Sequence, residues 1–190
     1  MNSIEWSECT WLNPPAAADT TEGSLVVTAL AGSDFWRTTH YGFIHENGHF
    51  LGKPFDGDVS VEIAFDGDFA AQWDQAGLMV RRGPDEWIKA GVERVDGELL
   101  ASVVVTHGTS DWSVTPLAGL DPHARIAVRA SRRGDSVTIS IEPSGQRKRM
   151  IRLAHFAAGG SVEIGPMCCS DAGNLHVRFA SFLAGPADED

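Results

Sequence analysis

The stretch DQAGLMVRRGPDEWIKAGVERVDGELLASVVVT, residues 74–106, decides the fold of this 190-residue chain. Apolar residues alternate with polar or very small ones along three segments, each as long as a β-strand. Asp96-Gly97, between the second and third segments, is the sequence of a two-residue hairpin turn. RGPDE at 82–86 is a longer connection between the first two segments. The stretch therefore predicts three consecutive antiparallel strands.

The Asp96-Gly97 turn also predicts the register, because a tight turn leaves one pairing for the strands that it joins. In that register one face of the hairpin is wholly apolar. The predicted pairs on the other, more polar face are Trp87–Thr106, Lys89–Val104, Gly91–Ser102 and Glu93–Leu100. A symmetric closure of the 82–86 connection adds the pairs Gln75–Glu93, Gly77–Gly91, Met79–Lys89 and Arg81–Trp87. A shift of two residues there would preserve the same faces.

Gly77, Gly91 and Ser102 line up across the three strands on the more polar face. Glycine weakens a strand, so two facing glycines indicate that another group or a ligand packs closely there. Neighbours about 5 Å apart across strands and about 6.6 Å apart along them leave a trough for a ring-sized ligand. The side chains expected to contact that ligand are Gln75, Arg81, Trp87, Lys89, Glu93, Ser102 and Thr106. The alternative is an ordinary solvated sheet face.

Other candidates for the site lie outside this stretch. Trp36 and His40 share the more polar face of a strand predicted at 35–43, where Trp36 either stacks on an apolar ring face or belongs to the core. Asp111 and Trp112 follow the third strand and form either the rim of the trough or a turn cap and a core residue.

Two charged residues are assigned by the same alternation. Arg152 is predicted on the solvent-facing side of its strand. There it either contacts the ligand or pairs as a surface arginine with Glu93 or Asp111. Asp74 falls on the apolar side of the first strand and is expected to pair with Arg94.

The whole chain shows strand alternation and almost no helical periodicity. At 43% hydrophobic and 22% charged residues, it is predicted to form one globular domain over 1–190, with a frayed tail at 184–190. Eleven strands are predicted, at 24–30, 35–43, 59–65, 75–81, 87–95, 99–106, 124–131, 135–142, 149–154, 161–165 and 174–183. Short strands at this spacing are typical of an all-β sandwich or barrel.

Charge and cysteine usage exclude some partners. The net charge of −11 repels phosphate backbones and anionic lipid, so neither nucleic acid nor a membrane is expected as a partner. The N-terminal residues lack the pattern of a secretory signal, and three cysteines are too few for a disulfide framework. A cytoplasmic location is expected. The adjacent Cys168 and Cys169 are two small thiols, a vicinal disulfide or a soft-metal site.

Catalytic and cofactor signals are weak. Glu93 is the one candidate acid/base, and glycoside hydrolysis needs a second carboxyl group, for which Asp111 is the plausible partner. His45 and His49 are candidate metal ligands, but the Asn47-Gly48 turn separates them and no third ligand is nearby in sequence. No catalytic residue, cofactor or metal is therefore assigned.

Several motifs taken together resemble one family. They are DFW, YGF, NGHFLGKPF, DQAGLMVR, WIKAGVE, VVVT, SDWS, MIRLA and VEIGPMCCS, in consistent order over roughly residues 5 to 184. They resemble the DUF1349 family of bacteria and fungi, some members of which are called regulation-of-enolase proteins. The resemblance implies a concanavalin A-like jelly roll of two antiparallel sheets with a concave binding face. It also implies carbohydrate binding or processing, although fold alone does not fix function.

Three functions are therefore predicted in order. The first is lectin-like binding of a sugar or oligosaccharide, and the lysine and arginine residues favour an acidic or phosphorylated one. The second is a glycan-active enzyme that uses Glu93 as the acid/base. The third is a regulatory module that binds a protein partner.

Overall fold

The computed structural model describes residues 1–117, 119–121 and 123–189. The described chain consists almost entirely of β-strands, with one 3-10 helix at Trp6–Glu8. The strands are β1 (Asn2–Ser3), β2 (Thr10–Leu12), β3 (Ala17–Thr21), β4 (Ser24–Thr28), β5 (Phe35–Arg37), β6 (Ile44–Glu46), β7 (His49–Asp56), β8 (Val59–Gly67), β9 (Gln75–Gly83), β10 (Glu86–Val95), β11 (Glu98–His107), β12 (Thr109–Pro116), β13 (Ile126–Arg133), β14 (Ser136–Pro143), β15 (Arg149–His155), β16 (Ser161–Cys169) and β17 (His176–Gly185).

Two large antiparallel sheets carry the fold. The first has the order β15-β14-β13-β8-β17-β4-β3, with β1 also paired to β17. The second has the order β12-β11-β10-β9-β16-β7-β2. A small β5-β6 hairpin stands apart from both sheets. This is the two-sheet sandwich that the alternation of the sequence predicts.

The predicted registers of β9, β10 and β11 are confirmed. Gly91 faces Ser102 across β10 and β11, and Glu93 faces Leu100. Between β9 and β10, Gly77 faces Gly91 and Gln75 faces Glu93, so the symmetric closure holds. The alternation therefore sends Lys89 and Glu93 to one face of the second sheet and their apolar neighbours to the other.

Two hydrophobic clusters lie on the two faces of the second sheet. The larger cluster fills the space between the sheets and contains Val80, Ile88 and Ile139 among many others. The smaller cluster lies on the outer face, and its members are Phe35, Trp36, Phe50, Met79, Trp87, Val104, Met167 and Cys169. Because Phe35 and Trp36 come from β5, the β5-β6 hairpin covers part of the outer face and does not leave it to solvent.

The strand predicted at 35–43 is wrong beyond Arg37. The chain turns at 38–43 and returns as β6, so Trp36 and His40 do not share a strand face. The frayed tail predicted at 184–190 begins too early, because Ala184 and Gly185 still belong to β17 and pair with β8. Beyond the strand, the Asp188 backbone N–H donates to the Ser60 and Ser131 hydroxyls.

Strands were missed where the sequence is polar or interrupted. β12 is exposed along most of its length, and β7 contains Gly52 and Pro54, which break its alternation. Within the described residues, no helix is long and apolar enough to cross a membrane.

Candidate functional site

A pocket of about 290 Å³ opens on the outer face of the second sheet, beside the β5-β6 hairpin. The sheet supplies its base from β9, β10, β11 and β12, and the hairpin and the segment before it supply much of the remainder. The lining residues are Gly32, Ser33, Asp34, Trp36, Tyr41, Phe43, His45, Trp73, Gln75, Lys89, Glu93, Val104, Trp112 and Asp171. The pocket combines several aromatic rings with three carboxylates and one lysine.

Lys89 forms the charged centre of the base. It is only 3% exposed, and its Nζ donates to Asp34 Oδ1 over 2.9 Å. The Gln75 side-chain amide donates to the same oxygen over 3.1 Å. Burial by itself would lower the pKa of Lys89, but the negative charges of Asp34 and Glu93 outweigh it and leave the pKa raised. Lys89 therefore remains charged and neutralised by Asp34.

Glu93 lies four residues beyond Lys89 on the same face of β10 and is 5% exposed. Its Oε2 accepts hydrogen bonds from the Ser102 hydroxyl at 2.7 Å and from Trp112 Nε1–H at 3.1 Å. Its Oε1 has no hydrogen-bond partner within the described part of the chain. Burial raises the pKa of Glu93, and the Lys89 charge and these donors offset that only in part. The carboxyl group can therefore either donate or accept a hydrogen bond from Oε1.

Two groups of aromatic rings line the pocket. In the hairpin group, Trp36 meets Tyr41 edge to face at 5.7 Å, and Tyr41 stacks on Phe43 at 5.3 Å. In the other group, Trp73 meets Trp112 edge to face at 6.1 Å. Aromatic faces bind apolar ring surfaces, so the pocket suits a flat molecule that also carries hydrogen-bonding groups.

Trp73 is held in an unusual backbone conformation. Its φ is +66°, a left-handed value that costs free energy for a bulky residue. The neighbouring Asp74 carboxylate compensates, because it accepts the Ala70 and Ala71 backbone N–H groups and the Ser170 hydroxyl at 2.6–3.0 Å. The expected pairing of Asp74 with the Arg94 side chain is therefore wrong, and only their backbones pair, at 2.9 Å. Asp74 fixes the loop that presents Trp73.

The structure brings part of the predicted set together. Trp36, Gln75, Lys89, Glu93 and Trp112 all line the pocket. Ser102 reaches it through its hydrogen bond to Glu93.

Trp87 and Thr106 are buried beneath the hairpin and do not line the pocket. Trp87 is in the smaller cluster, 6.0 Å from the Phe35 ring, and its Nε1–H donates to the Pro84 carbonyl. The Thr106 hydroxyl hydrogen-bonds to Ser110, which in turn accepts the Arg37 backbone N–H. The alternation placed both residues on the correct face, but it could not show that β5 covers them.

The predicted arginines also lie away from the pocket. Arg81 pairs with Glu163 at 3.2 Å. Arg152 pairs with the exposed Asp111 at 2.9 Å, which is one of the two surface pairings considered for it. Asp111 therefore does not accompany Glu93, and neither arginine offers a charge to a ligand in the pocket.

His40 is exposed at the tip of the hairpin and does not line the pocket. Its ring contacts Tyr41 edge to face at 4.8 Å. This contact supports an aromatic ring that does line the pocket.

The trough predicted over Gly77, Gly91 and Ser102 is closed to ligands. Gly77 and Gly91 approach so tightly that a Cβ at either would lie 2.0 Å from a carbonyl oxygen of the other strand. The small space above them, between Lys89, Ser102 and Met167, has no room for a water molecule. The glycines therefore serve close strand approach, and the pocket lies beside them, over Lys89 and Glu93.

Several lining residues were missed by the sequence reasoning, namely Asp34, Tyr41, Phe43, His45, Trp73 and Asp171. A lysine predicted at the centre of a sheet indicates that some carboxylate neutralises it. That signal identifies the need for a partner but not Asp34, which is 55 residues away.

His49, Cys168 and Cys169 lie in the protein interior, whereas His45 lines the pocket. His49 is buried, with Nδ1 bonded to the Asn13 carbonyl at 2.8 Å and Nε2 accepting the Leu30 backbone N–H at 2.9 Å. Cys168 and Cys169 are free and buried, and burial raises the pKa of Cys168 to about 12. In residues 1–117, 119–121 and 123–189, no group of three histidine, cysteine or acidic side chains is placed to hold a metal ion.

Comparison with known proteins identifies relatives along the whole chain. The family described as "Protein of unknown function (DUF1349)" matches residues 11–186. The protein called Regulation of enolase protein 1, from Saccharomyces cerevisiae (strain ATCC 204508 / S288c), is 34% identical over 185 residues, which are 95% of this chain and 90% of that protein.

Solved structures share the fold. A functionally unknown protein from Saccharomyces cerevisiae superposes with a TM-score of 0.92 at 32% identity, over 98% of this chain and 100% of that one. A xylan β-1,4-xylosidase from Bacillus halodurans C-125 gives 0.69 at 12% identity, over 88% of this chain and 34% of that one. An alginate lyase from Klebsiella pneumoniae gives 0.61 at 11% identity, over 91% and 85%. The last two show the fold alone, and the predicted jelly-roll sandwich is confirmed.

Proposed function

The chain belongs to the DUF1349 family, and from the pocket that it builds we propose that it binds a neutral saccharide in that pocket. The single observation that carries the proposal is the combination of aromatic walls with a buried polar base. Trp36, Trp73 and Trp112 offer ring faces, while Glu93 Oε1 and Asp34 offer hydrogen-bonding oxygens. A sugar ring presents apolar C–H faces and hydroxyl edges, and this arrangement complements both.

The size of the pocket suits a small ligand. Sites for small molecules span about 300–1,000 Å³, and this pocket of about 290 Å³ lies just below the lower limit of that range. Gln75, Lys89 and Glu93 come from β9 and β10, which the sheet holds rigid, as a binding site requires.

The charges favour a neutral sugar over the acidic or phosphorylated one predicted from the sequence. That prediction depended on Lys89, Arg81 and Arg152 together. The two arginines pair elsewhere, and the Lys89 charge is neutralised by Asp34. Asp171 adds a carboxylate to the lining, so a phosphate or carboxylate ligand would meet repulsion there.

We assign this binding to the cytoplasm. The support is that Cys9, Cys168 and Cys169 are all free thiols, as expected in a reducing compartment. A protein partner is a further proposal, which rests on the name of the yeast relative, since that name describes regulation of another protein.

A thermal-shift screen followed by calorimetric titration tests the binding. The probes are D-xylose, D-glucose, D-galactose and D-mannose, with D-glucuronate and glucose 6-phosphate as charged comparisons. A bound ligand raises the melting temperature by mass action, so at least one neutral sugar should do so and the charged ones should not. Glu93→Gln should weaken that binding, while Glu163→Gln, the same change outside the pocket, should leave it intact. Binding that survives equally in both variants would place the ligand elsewhere.

A second candidate function is action on a glycosidic bond, and one observation favours it. Glu93 and Asp34 both line the pocket, and Glu93 Oε1 and Asp34 Oδ2 are each without a hydrogen bond within the described residues. Two carboxyl groups are what glycoside hydrolysis requires, with the buried Glu93 as the proton donor. Release of nitrophenol from a panel of nitrophenyl glycosides tests this candidate. Turnover lost in both Glu93→Gln and Asp34→Asn would support it, and absence of turnover across the panel would refute it.

A further inference from the structure

Two aromatic rings at the tip of the β5-β6 hairpin lie partly outside the pocket. Tyr41 and Phe43 both line the pocket, yet they are 48% and 42% exposed. Their rings are 5.3 Å apart and only 13° from parallel, so they form an offset stack that presents a stepped apolar surface. Exposure of two large adjacent rings costs free energy, and such surfaces mark binding sites.

This surface is continuous with the pocket. The Tyr41 ring contacts Trp36, which is almost buried, so aromatic contacts run from the pocket outward along the hairpin. His40 and His45 contact the flanks of Tyr41 and Phe43 edge to face, at 4.8 and 4.7 Å. The flanking rings leave the aromatic surface fixed in orientation.

The backbone beneath the two rings is strained. Thr38 and His40 have φ values of +63° and +65°. The N–H of the residue after each bonds to the carbonyl of the residue before it, at 2.8 and 2.7 Å, which forms two successive γ-turns. Such turns are rare and costly, and strain of this kind concentrates at ligand clamps.

We propose that Tyr41 and Phe43 form a platform that binds a second saccharide unit, so that the ligand is an oligosaccharide of at least two rings. This inference rests on the proposed function, because the first unit occupies the pocket. The pocket has room for a small ligand only, and the platform adjoins its mouth. A unit linked to the one in the pocket would lay its C–H face on these rings, as aromatic surfaces favour.

Chain-length titrations test the platform. The probes are D-xylose, xylobiose and xylotriose, and D-glucose, cellobiose and cellotriose, measured by calorimetry. In at least one series the disaccharide should bind roughly three- to tenfold more tightly than the monosaccharide, the gain expected for one aromatic stacking contact. Tyr41→Ala and Phe43→Ala should each reduce that ratio toward one, and Tyr41→Phe, which keeps the ring, should retain it.

Two control variants separate the platform from the pocket. Glu93→Gln should weaken the monosaccharide and the disaccharide together and leave their ratio unchanged. Leu153→Ala, an exposed apolar residue on β15 that is 62% accessible, should change neither affinity.

The outcomes distinguish the two proposals. Equal affinity for one ring and two, or a gain that survives both alanine variants, overturns the platform and leaves the pocket standing. If no sugar in either series binds and no neutral sugar of the thermal-shift screen binds, both the proposed function and the platform are refuted.

Discussion

Replacing Lys89 by methionine removes the charge at the base of the pocket while keeping a long apolar side chain. Lys89 Nζ lies 2.9 Å from Asp34 Oδ1, where unit charges attract by about 6 kcal/mol at an effective dielectric constant of about 20. Desolvation of the two groups offsets most of that attraction. Removing one partner of a buried pair costs about 3–5 kcal/mol, because the other charge is left unpaired.

Asp34 is 30% exposed and keeps two donors, the Gln75 amide and the Phe35 backbone N–H. The remaining carboxylate is therefore partly solvated, and we expect Lys89→Met to lower the free energy of unfolding by about 2–3 kcal/mol at pH 7. Urea unfolding measures this directly. The matched control is Lys53→Met, which removes a surface pair with the exposed Glu8 and should cost much less than Lys89→Met.

The pH dependence separates the ion pair from simple packing. The pKa of Lys89 in the folded protein is raised, since Asp34 and Glu93 outweigh the opposing effect of burial. The stability that the pair contributes is therefore fully present below the unfolded value of about 10.4 and is lost as the pH rises through the folded pKa. The difference between wild type and Lys89→Met should hold steady from pH 7 to about pH 10 and shrink above it. A stability difference between wild type and Lys89→Met of under about 1 kcal/mol at pH 7, or one that does not shrink above about pH 10, would refute the reasoning.

Three further changes test other parts of the structure. Burial raises the pKa of Glu93, so folding favours its protonated form, and wild-type stability falls as the pH rises from about 4.3 through the folded pKa. In urea unfolding, Glu93→Gln should therefore gain stability relative to wild type between pH 4 and pH 7. A difference that stays constant over this range would contradict the prediction. Gly77→Ala should cost about 2 kcal/mol or more, because its Cβ would meet the Ala90 carbonyl oxygen at 2.0 Å. The control is Gly83→Ala on the same strand, where the Cβ would meet only the Asp85 side chain at an ordinary contact distance of 3.8 Å, and stability should change by under about 1 kcal/mol. Equal effects of the two substitutions in thermal unfolding would show that the close approach is unimportant. Burial lowers the pKa of His49, although its hydrogen bond to Asn13 acts in the opposite direction. Wild-type stability should therefore fall as the pH drops below about 6.5. If a His49→Gln variant lost stability in acid to the same extent, His49 would not be the cause.

The sheet and its registers could be predicted because their causes are local. The Asp96-Gly97 turn and the alternation of side chains between the two faces of a strand together leave one arrangement for Gly91, Ser102 and Glu93. The structure shows that arrangement. The same reasoning placed Lys89 and Glu93 on the outer face, where both line the pocket.

The cover over that face could not be predicted in this way. Binary pattern distinguishes two faces of a strand, but it does not say whether water or another segment lies against each. Trp87 and Thr106 are on the outer face and still buried, because the β5-β6 hairpin folds over them. The hairpin itself depends on strained turns at Thr38 and His40. Neither residue is a glycine, so the sequence gives no indication that the backbone adopts a positive φ there.

The six tryptophans allow the most direct test of the central claim that the pocket is the saccharide site. Trp36, Trp73 and Trp112 line the pocket, whereas Trp6, Trp11 and Trp87 lie outside it. In proton–nitrogen NMR spectra each indole N–H gives its own signal, and titration with a sugar that passes the screen reports where it binds. We predict shifts of the three pocket signals, with the largest at Trp112, whose N–H bonds to Glu93. Shifts confined to Trp6, Trp11 and Trp87 would contradict the account.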